Sequence, residues 1–362
     1  MSKSKLYEQI KRKRSKNKKQ NSNKNKNKNK NKNNQNNITN KPHYSKNVTR
    51  KIKPLNCSPA VKGKTPVRGS CFTSDVLIKL KESFNKHHAS KPILANEPVE
   101  IWKELRERLK YCPKEDCWLS EIVEEPIQAK LKKSLFTPFQ PDDWKGDPNP
   151  WLSNFDIFDV LHQYEEPYPN FKILGPTPID FDARPKDMDG TCVWEELCDF
   201  SVEKYLSNKI TKIGVVFNLD EHDKDGSHWV SMFIDLEDQF IFYLDSGGEK
   251  IPKEVKALVE RIIKQGLEMT PKLHIHFYEN CPIEHQMGEN ECGMYALFFI
   301  ITMLSGHVEL NKSKVINANA KLPLSDGIIK KFSNYVEKIN FFKDKRIPDT
   351  YVKQFRNIYF NL

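Results

Sequence analysis

Residues 286–293 read QMGENECG and lead directly into the apolar run of residues 294–304. An apolar run of this length, broken only by Thr302, predicts a buried helix. Cys292 therefore lies at the entry of that helix, where unpaired N–H groups and the helix dipole favour a thiolate. A thiolate is a nucleophile, so Cys292 is a candidate for covalent catalysis. Taken alone, such a cysteine is more often a small buried hydrophobic residue.

A histidine and an aspartate flank a predicted β-hairpin. His228 stands at the start of one apolar segment and Asp245 at the end of the next, with a polar break at residues 237–239 between them. Folding the chain about residues 236–238 brings His228 opposite Asp245 or within two residues of it. A carboxylate at that separation can orient an imidazole as a general base. The alternatives are a strand-end histidine and a turn aspartate.

Acyl transfer also needs hydrogen-bond donors for the developing oxyanion. Gln286, six residues before Cys292, can supply a side-chain N–H, and the backbone N–H of Cys292 can supply a second. Gln286 alone carries little information. Its spacing relative to the other three residues is what indicates a cysteine protease site.

The four candidate residues occur along the chain in the order His228, Asp245, Gln286 and Cys292. This order, with His-Trp and Gln-x5-Cys-Gly, resembles the ubiquitin-like-protein-specific protease superfamily, which includes SUMO proteases, the adenovirus protease and maturation proteases of large cytoplasmic DNA viruses. Papain, where the cysteine comes first, is a poor match. Residues 151–157, WLSNFDI, are similar to the element that opens this catalytic domain, so the resemblance covers roughly residues 151–304. Glu291 departs from it, since many relatives carry Asp there.

The resemblance implies an α+β fold with a central mixed sheet and a nucleophile-bearing helix. In it Cys292 would attack the scissile carbonyl, His228 would activate the thiol, Asp245 would orient His228, and Gln286 would stabilise the oxyanion. No metal or organic cofactor is expected.

The resemblance also implies a substrate. Trp229 and Trp151 would wall a narrow channel over small residues, typically Gly-Gly or Ala-Gly before the cut, although either could instead be a core residue. A cysteine-containing helical region before the protease core looks most like the maturation proteases of large DNA viruses. This implies processing of viral structural precursors, in the virion and host cytoplasm. The alternatives are an isopeptidase acting on SUMO or ubiquitin-like conjugates, and a catalytically silent virion structural or nucleic-acid-binding protein.

The charge of the chain is unevenly distributed. Residues 1–54 contain 19 Lys and Arg but one acidic residue, Glu8, whereas the remainder carries 40 basic and 47 acidic residues. This tail includes the Asn/Lys alternation of residues 23–34, which has almost no apolar content, and the tail is predicted to be disordered. Non-specific nucleic-acid binding by counterion release is one interpretation, and a solvated leader without function is the other.

The rest of the chain divides into a helical region (55–146), the protease core (147–310) and a C-terminal helical extension (311–362). We expect an N-terminal helix after the caps Thr73 and Ser74 and another over residues 99–109. In the extension, Ser325 and Asp326 predict the cap of a helix over 328–342, and Asp349 predicts another through residue 360.

No secretory signal is present and the longest apolar run is 11 residues, which predicts neither secretion nor a membrane span. Eight cysteines without an export signal predict free thiols. Irregular spacing disfavours zinc binding, both by His274, His276, Cys281, His285 and Cys292, and by Cys57, Cys71, Cys112 and Cys117. A packing role is favoured for the latter four. Proline after Cys281 disfavours helix there, so Cys281 lacks the setting of Cys292.

Overall fold

The computed structural model describes residues 53–147, 149–310 and 328–361. The basic tail, and with it the interpretation as a nucleic-acid-binding segment, lies outside these residues up to position 52. The predicted caps Ser325 and Asp326 also lie outside them. No helix in the described ranges is long and apolar enough to cross a membrane.

Four helices form the N-terminal region. They are α1 (Ser74–His87), α2 (Pro98–Arg108), α3 (Glu115–Ile122) and α4 (Glu125–Leu135). Thr73 is the N-cap of α1 and its side chain accepts a hydrogen bond from the Val76 N–H, which confirms the predicted start. Phe72, Trp118 and Phe136 are fully buried at the centre of this region, so it has its own apolar core.

Six of the eight cysteines are paired in disulfides: Cys57–Cys71, Cys112–Cys117 and Cys192–Cys198. The prediction of free thiols is therefore wrong for these six. The cause is local geometry, because Cys117 lies in the first turn of α3 and Cys112 in the loop that leads into it. Only Cys281 and Cys292 are free.

A five-stranded mixed sheet lies at the centre of the fold and confirms the predicted α+β class. In sheet order the strands are β1 (Phe171–Pro178), β2 (Lys212–Asn218), β3 (Trp229–Asp235), β4 (Phe240–Leu244) and β5 (His276–Glu279). β1 is parallel to β2 and β4 to β5, whereas the β2–β3 and β3–β4 pairs are antiparallel. Every residue of β3 and β4 is buried, which explains why both read as continuous apolar segments.

β3 and β4 form the predicted hairpin. Asp235 pairs with Phe240, so the chain reverses at one of the two predicted positions. The same register brings Asp245 level with a residue two positions from His228, which confirms the predicted separation.

Helices cover both faces of the sheet. α5 (Asn154–His162) precedes β1 and α9 (Cys292–Ser305) follows β5, while α6 (Glu195–Cys198), α7 (Val202–Ser207) and α8 (Lys253–Glu268) lie between strands along the chain. α8 packs against one face of the sheet, and α9 and α5 pack against the other. All residues of α9 from Cys292 to Leu304 are buried, which accounts for the apolar run.

The prediction of a helix from residue 328 is wrong at its start. β-Branched Ile328 and Ile329 open strand β7 (Ile328–Lys331), which pairs antiparallel with β6 (His307–Leu310). The remaining elements are α10 (Tyr335–Lys343), α11 (Asp349–Val352), a 3-10 turn (Lys353–Phe355) and α12 (Arg356–Tyr359). Asp349 opens the last helical run, as predicted, although Pro348 is its N-cap.

The end of the chain is joined to the N-terminal region. Asn361 Oδ1 accepts a 2.7 Å hydrogen bond from the Asn56 N–H, and Asn361 Nδ2 donates to the Thr137 carbonyl at 3.1 Å. The two regions that flank the core therefore contact each other, and the domain boundaries stay a prediction.

Candidate active site

Cys292 is the first residue of α9, and its thiol is free and buried. The next residue explains how closely the helix start can pack: a Cβ on Gly293 would lie 2.9 Å from Leu152 Cβ. Glycine thus allows the N-terminus of α9 to lie against the segment before α5. The structure therefore places Cys292 at the helix entry that the sequence predicts.

His228 connects the thiol to a carboxylate. Its Nε2 lies 2.7 Å from Asp245 Oδ1, and the same imidazole interacts with the Cys292 side chain. Because Nε2 faces the carboxylate, Nδ1 is the ring nitrogen left for the thiol. Burial opposes protonation of His228, but the hydrogen bonds and negative charges of Asp245 and Cys292 outweigh it and raise its pKa to about 10. A protonated imidazole next to the Cys292 sulfur stabilises negative charge on that atom.

Both the backbone and the carboxylate of Asp245 are held by hydrogen bonds. Asn280 Oδ1 accepts a 2.9 Å hydrogen bond from the Asp245 N–H, and Asn280 Nδ2 donates to the Asp245 carbonyl at 2.7 Å. The Gly247 N–H donates to Asp245 Oδ1 at 2.8 Å. These bonds fix the carboxylate in a buried position just beyond the end of β4.

Gln286 is held by the residue that follows Asp245. The Ser246 hydroxyl donates to Gln286 Oε1 at 2.8 Å, and Gln286 Nε2 donates one hydrogen to the Gly288 carbonyl at 2.7 Å. The first bond assigns the orientation of the amide and leaves the second Nε2 hydrogen for another acceptor. Adjacent residues, Asp245 and Ser246, thus orient His228 and Gln286 respectively.

The two tryptophans have different environments. Trp229 is buried, and its indole N–H donates to the Leu152 carbonyl at 2.9 Å. Trp151 is 45% exposed, and its indole N–H donates to Asn290 Oδ1, two residues before Cys292. Trp229 therefore fixes the segment that carries Trp151. Trp151 lies at the surface beside the loop that precedes Cys292, which we call the nucleophile loop.

The alternative metal ligands are not brought together. His285 is buried, with Nε2 3.0 Å from the Phe342 carbonyl and Nδ1 accepting from the Ile347 N–H at 3.1 Å. Within the described ranges, one group of His, Cys, Asp or Glu side chains has metal-ligand spacing, namely Cys112, Cys117 and Glu121. The two cysteines of that group are bonded to each other.

Sequence reasoning missed Asn280, Ser246 and Asp349, whose side chains hold the candidate site. Ser246 follows Asp245 directly, so adjacency to a candidate orienter was a usable signal. Asn280 bonds across 35 residues, and Asp349 bonds to the loop before Cys292 across 62 residues. Neither contact leaves a periodic pattern in the sequence.

Comparisons with known proteins identify cysteine proteases that are similar to this chain. Residues 203–338 match the Ulp1 protease family, C-terminal catalytic domain, a range that includes all four candidate residues. A protein of Acanthamoeba polyphaga mimivirus that is named as a thiol protease is 25% identical over 254 residues, 66% of this chain and 81% of that protein. A SUMO-1 cysteine protease of African swine fever virus is 29% identical over 205 residues, 52% of this chain and 72% of that protein.

A crystal structure supports the fold. The structure of a protease from African swine fever virus superposes with a TM-score of 0.52 at 18% identity, covering 85% of this chain and 96% of that one. At this identity the likeness concerns the fold alone.

Proposed function

We propose that this chain, a cysteine protease with an Ulp1-type catalytic domain, is an endopeptidase that uses Cys292, His228, Asp245 and Gln286 and cleaves after small residues. The observation that carries the proposal is the series in which the Cys292 thiol interacts with His228 and His228 is hydrogen-bonded to Asp245. A nucleophile, a base and an orienter in that order are the elements of acyl transfer.

The reaction begins from the imidazolium–thiolate pair. Cys292 Sγ forms a bond to the scissile carbonyl carbon, and the carbonyl oxygen becomes an oxyanion. The free Nε2 hydrogen of Gln286 and the backbone N–H of Cys292 are its donors, since the first turn of a helix leaves its N–H groups without intrahelical acceptors. His228 Nδ1 then gives its proton to the leaving amine, and a thioester remains.

The second half of the reaction uses the same groups in reverse. His228, now neutral, takes a proton from a water molecule, whose oxygen attacks the thioester carbon. Collapse of the second tetrahedral intermediate releases the carboxylic acid and restores the thiolate. Asp245 keeps its hydrogen bond to His228 and stabilises the imidazolium.

A preference for small residues is supported by the tryptophans. The exposed face of Trp151, held beside the nucleophile loop by Asn290, forms one wall of the substrate path. Trp229 is the lesser contributor because little of its surface is accessible. A rigid aromatic wall excludes side chains larger than those of Gly or Ala next to the cut.

Processing of viral structural precursors, in the virion and host cytoplasm, is our preferred role because the named relatives are viral proteases. Isopeptidase action on SUMO or ubiquitin-like conjugates is the second candidate, favoured by the SUMO-1 protease name of one relative. The two roles share their chemistry and differ in the substrate.

Peptide-library cleavage by the purified full chain tests the proposal, with Cys292→Ala as the negative control. We expect cleavage after Gly-Gly or Ala-Gly, loss of activity on alkylation of Cys292, and unchanged activity with chelators. Faster hydrolysis of purified SUMO conjugates than of any peptide would select the isopeptidase role. Absence of cleavage, together with failure of a thiol-reactive probe to label Cys292, would instead favour a silent structural protein.

A further inference from the structure

Asp349 binds the loop that carries Gln286. The Met287 N–H donates to Asp349 Oδ2 at 3.0 Å, and the Gly288 N–H donates to the same oxygen at 3.3 Å. Both donors belong to the two residues that directly follow Gln286. A single carboxylate from the C-terminal helical run therefore fixes two consecutive peptide groups of this loop.

The same carboxylate also contacts two other elements. The Tyr295 hydroxyl, in the first turn of the nucleophile helix α9, lies 2.9 Å from Asp349 Oδ1. Arg346 donates to Asp349 Oδ2 at 3.1 Å and comes from the segment before α11. Asp349 thus joins the loop, the helix that begins with Cys292, and the end of the chain.

These contacts are connected to the oxyanion donor Gln286 through Gly288. Gln286 Nε2 donates to the Gly288 carbonyl, and the N–H of the same Gly288 is bound by Asp349. The direction of the remaining Nε2 hydrogen therefore depends on the position of Gly288, because Gly288 offers its carbonyl to Gln286 and its N–H to Asp349. Ser246 fixes the oxygen of the Gln286 amide, and Asp349 fixes the loop that receives its nitrogen.

We propose that Asp349 is a positioning residue for the oxyanion donor Gln286. The proposal rests on the proposed protease function, because Gln286 has that role only there. Asp349 does not touch the substrate. It acts by holding the Met287 and Gly288 amides, so its loss should lower turnover and leave substrate binding and thiol reactivity nearly unchanged.

Hydrogen exchange measured by mass spectrometry tests the positioning without any need for activity. In the full chain, Asp349→Ala removes both acceptor oxygens, and we expect faster exchange in the peptide covering residues 286–291 and unchanged exchange in β3 and β4. Glu337→Ala is the matched control, since it removes another first-turn carboxylate whose bond stays within its own helix cap. In Asp349→Asn, which keeps one carbonyl oxygen, the peptide covering residues 286–291 should exchange at an intermediate rate. This variant tests the positioning role if Asp349→Ala does not fold.

Kinetics test the consequence for Gln286. We expect Asp349→Ala to lower kcat about tenfold, below the roughly 10²- to 10³-fold loss for a removed oxyanion donor, with KM and the rate of Cys292 alkylation unchanged. In a Gln286→Ala background the same change should have almost no further effect. Unchanged or uniformly faster exchange, or additive effects of the two substitutions, would overturn the positioning role. Local loosening in the variant, combined with a wild-type chain that cleaves nothing, would reject the protease function and leave the loop contact standing.

Discussion

His228 Nε2 lies 2.7 Å from Asp245 Oδ1, and this contact sets the charge of the site. Because the pKa of His228 is raised to about 10, the imidazolium is retained across the neutral range and can stabilise a Cys292 thiolate. Activity should therefore fall on the alkaline side only as the pH approaches that value, where the imidazolium loses its proton.

Replacement of Asp245 tests this electrostatic role. In Asp245→Asn the pKa of His228 should fall towards its ordinary value of 6.5, so the alkaline limb of the kcat/KM profile should move to lower pH. Alkylation of Cys292 at neutral pH should also become slower, because less thiolate is present. Asp223→Asn, an exposed acid in the loop before His228, is the control and should leave both profiles in place. A variant profile that overlays the wild type would contradict the role of Asp245.

The two free cysteines allow the nucleophile to be identified directly. Cys292→Ala should abolish peptide cleavage within detection, because no neighbouring group can replace the attacking sulfur. Cys281→Ser should remain active, since Cys281 is partly exposed and outside the helix entry. Cleavage of a Gly-Gly peptide by the two purified variants provides the measurement. An inactive Cys281→Ser beside an active Cys292→Ala would mean that the wrong nucleophile has been named.

Local patterns in the sequence predicted the elements that carry the candidate site. The apolar run after Cys292 predicted α9, and two apolar segments with a polar break predicted the hairpin that brings His228 to Asp245. Both rest on periodicity and chain reversal, which depend on neighbouring residues. Tertiary bonds such as Asn280 to the Asp245 backbone depend on how distant elements pack, so a single sequence does not reveal them.

Two predictions were wrong, the helix start at residue 328 and the free state of six cysteines. Ile328 and Ile329 fit the spacing of a helical face, but pairing with β6 overrides that local preference and makes them a strand. Disulfide pairing likewise depends on where the loops place their sulfur atoms, so the cysteine count alone did not reveal it. Sequence spacing therefore predicted the approach of His228 to Asp245 within one hairpin, and it did not predict strand pairing after a long connection or the pairing of cysteines.

The free energy of unfolding should depend on pH through the buried imidazole of His285. Burial lowers its pKa to about 4, against 6.5 in the unfolded chain. Between these values the unfolded state binds a proton that the folded state does not. The contribution of His285 to the free energy of unfolding is therefore fully present above pH 6.5. It is lost as the pH falls to about 4, and the loss amounts to at most about 3 kcal/mol.

Urea unfolding at about pH 7 and about pH 5 measures this linkage. The free energy of unfolding should fall less between the two conditions in His285→Gln than in the wild type, because glutamine does not titrate. His274→Gln, at an exposed position, is the control and should retain the wild-type slope. Equal slopes for wild type and His285→Gln would show that this histidine does not control the acid limb.

Substitution of Gln286 should lower kcat more than substitution of Ser246, because Gln286 is the proposed oxyanion donor and Ser246 only orients it. Gln286→Ala should lower kcat about 10²- to 10³-fold with little change in KM. Ser246→Ala leaves the amide in place but removes the bond to Oε1, so we expect a smaller loss, about tenfold. Gln354→Ala, which removes a side-chain amide in the C-terminal helical run, should have no effect. Equal activity of Gln286→Ala and wild type would leave the Cys292 backbone N–H as the remaining proposed donor, and the orienting role of Ser246 would fall with it.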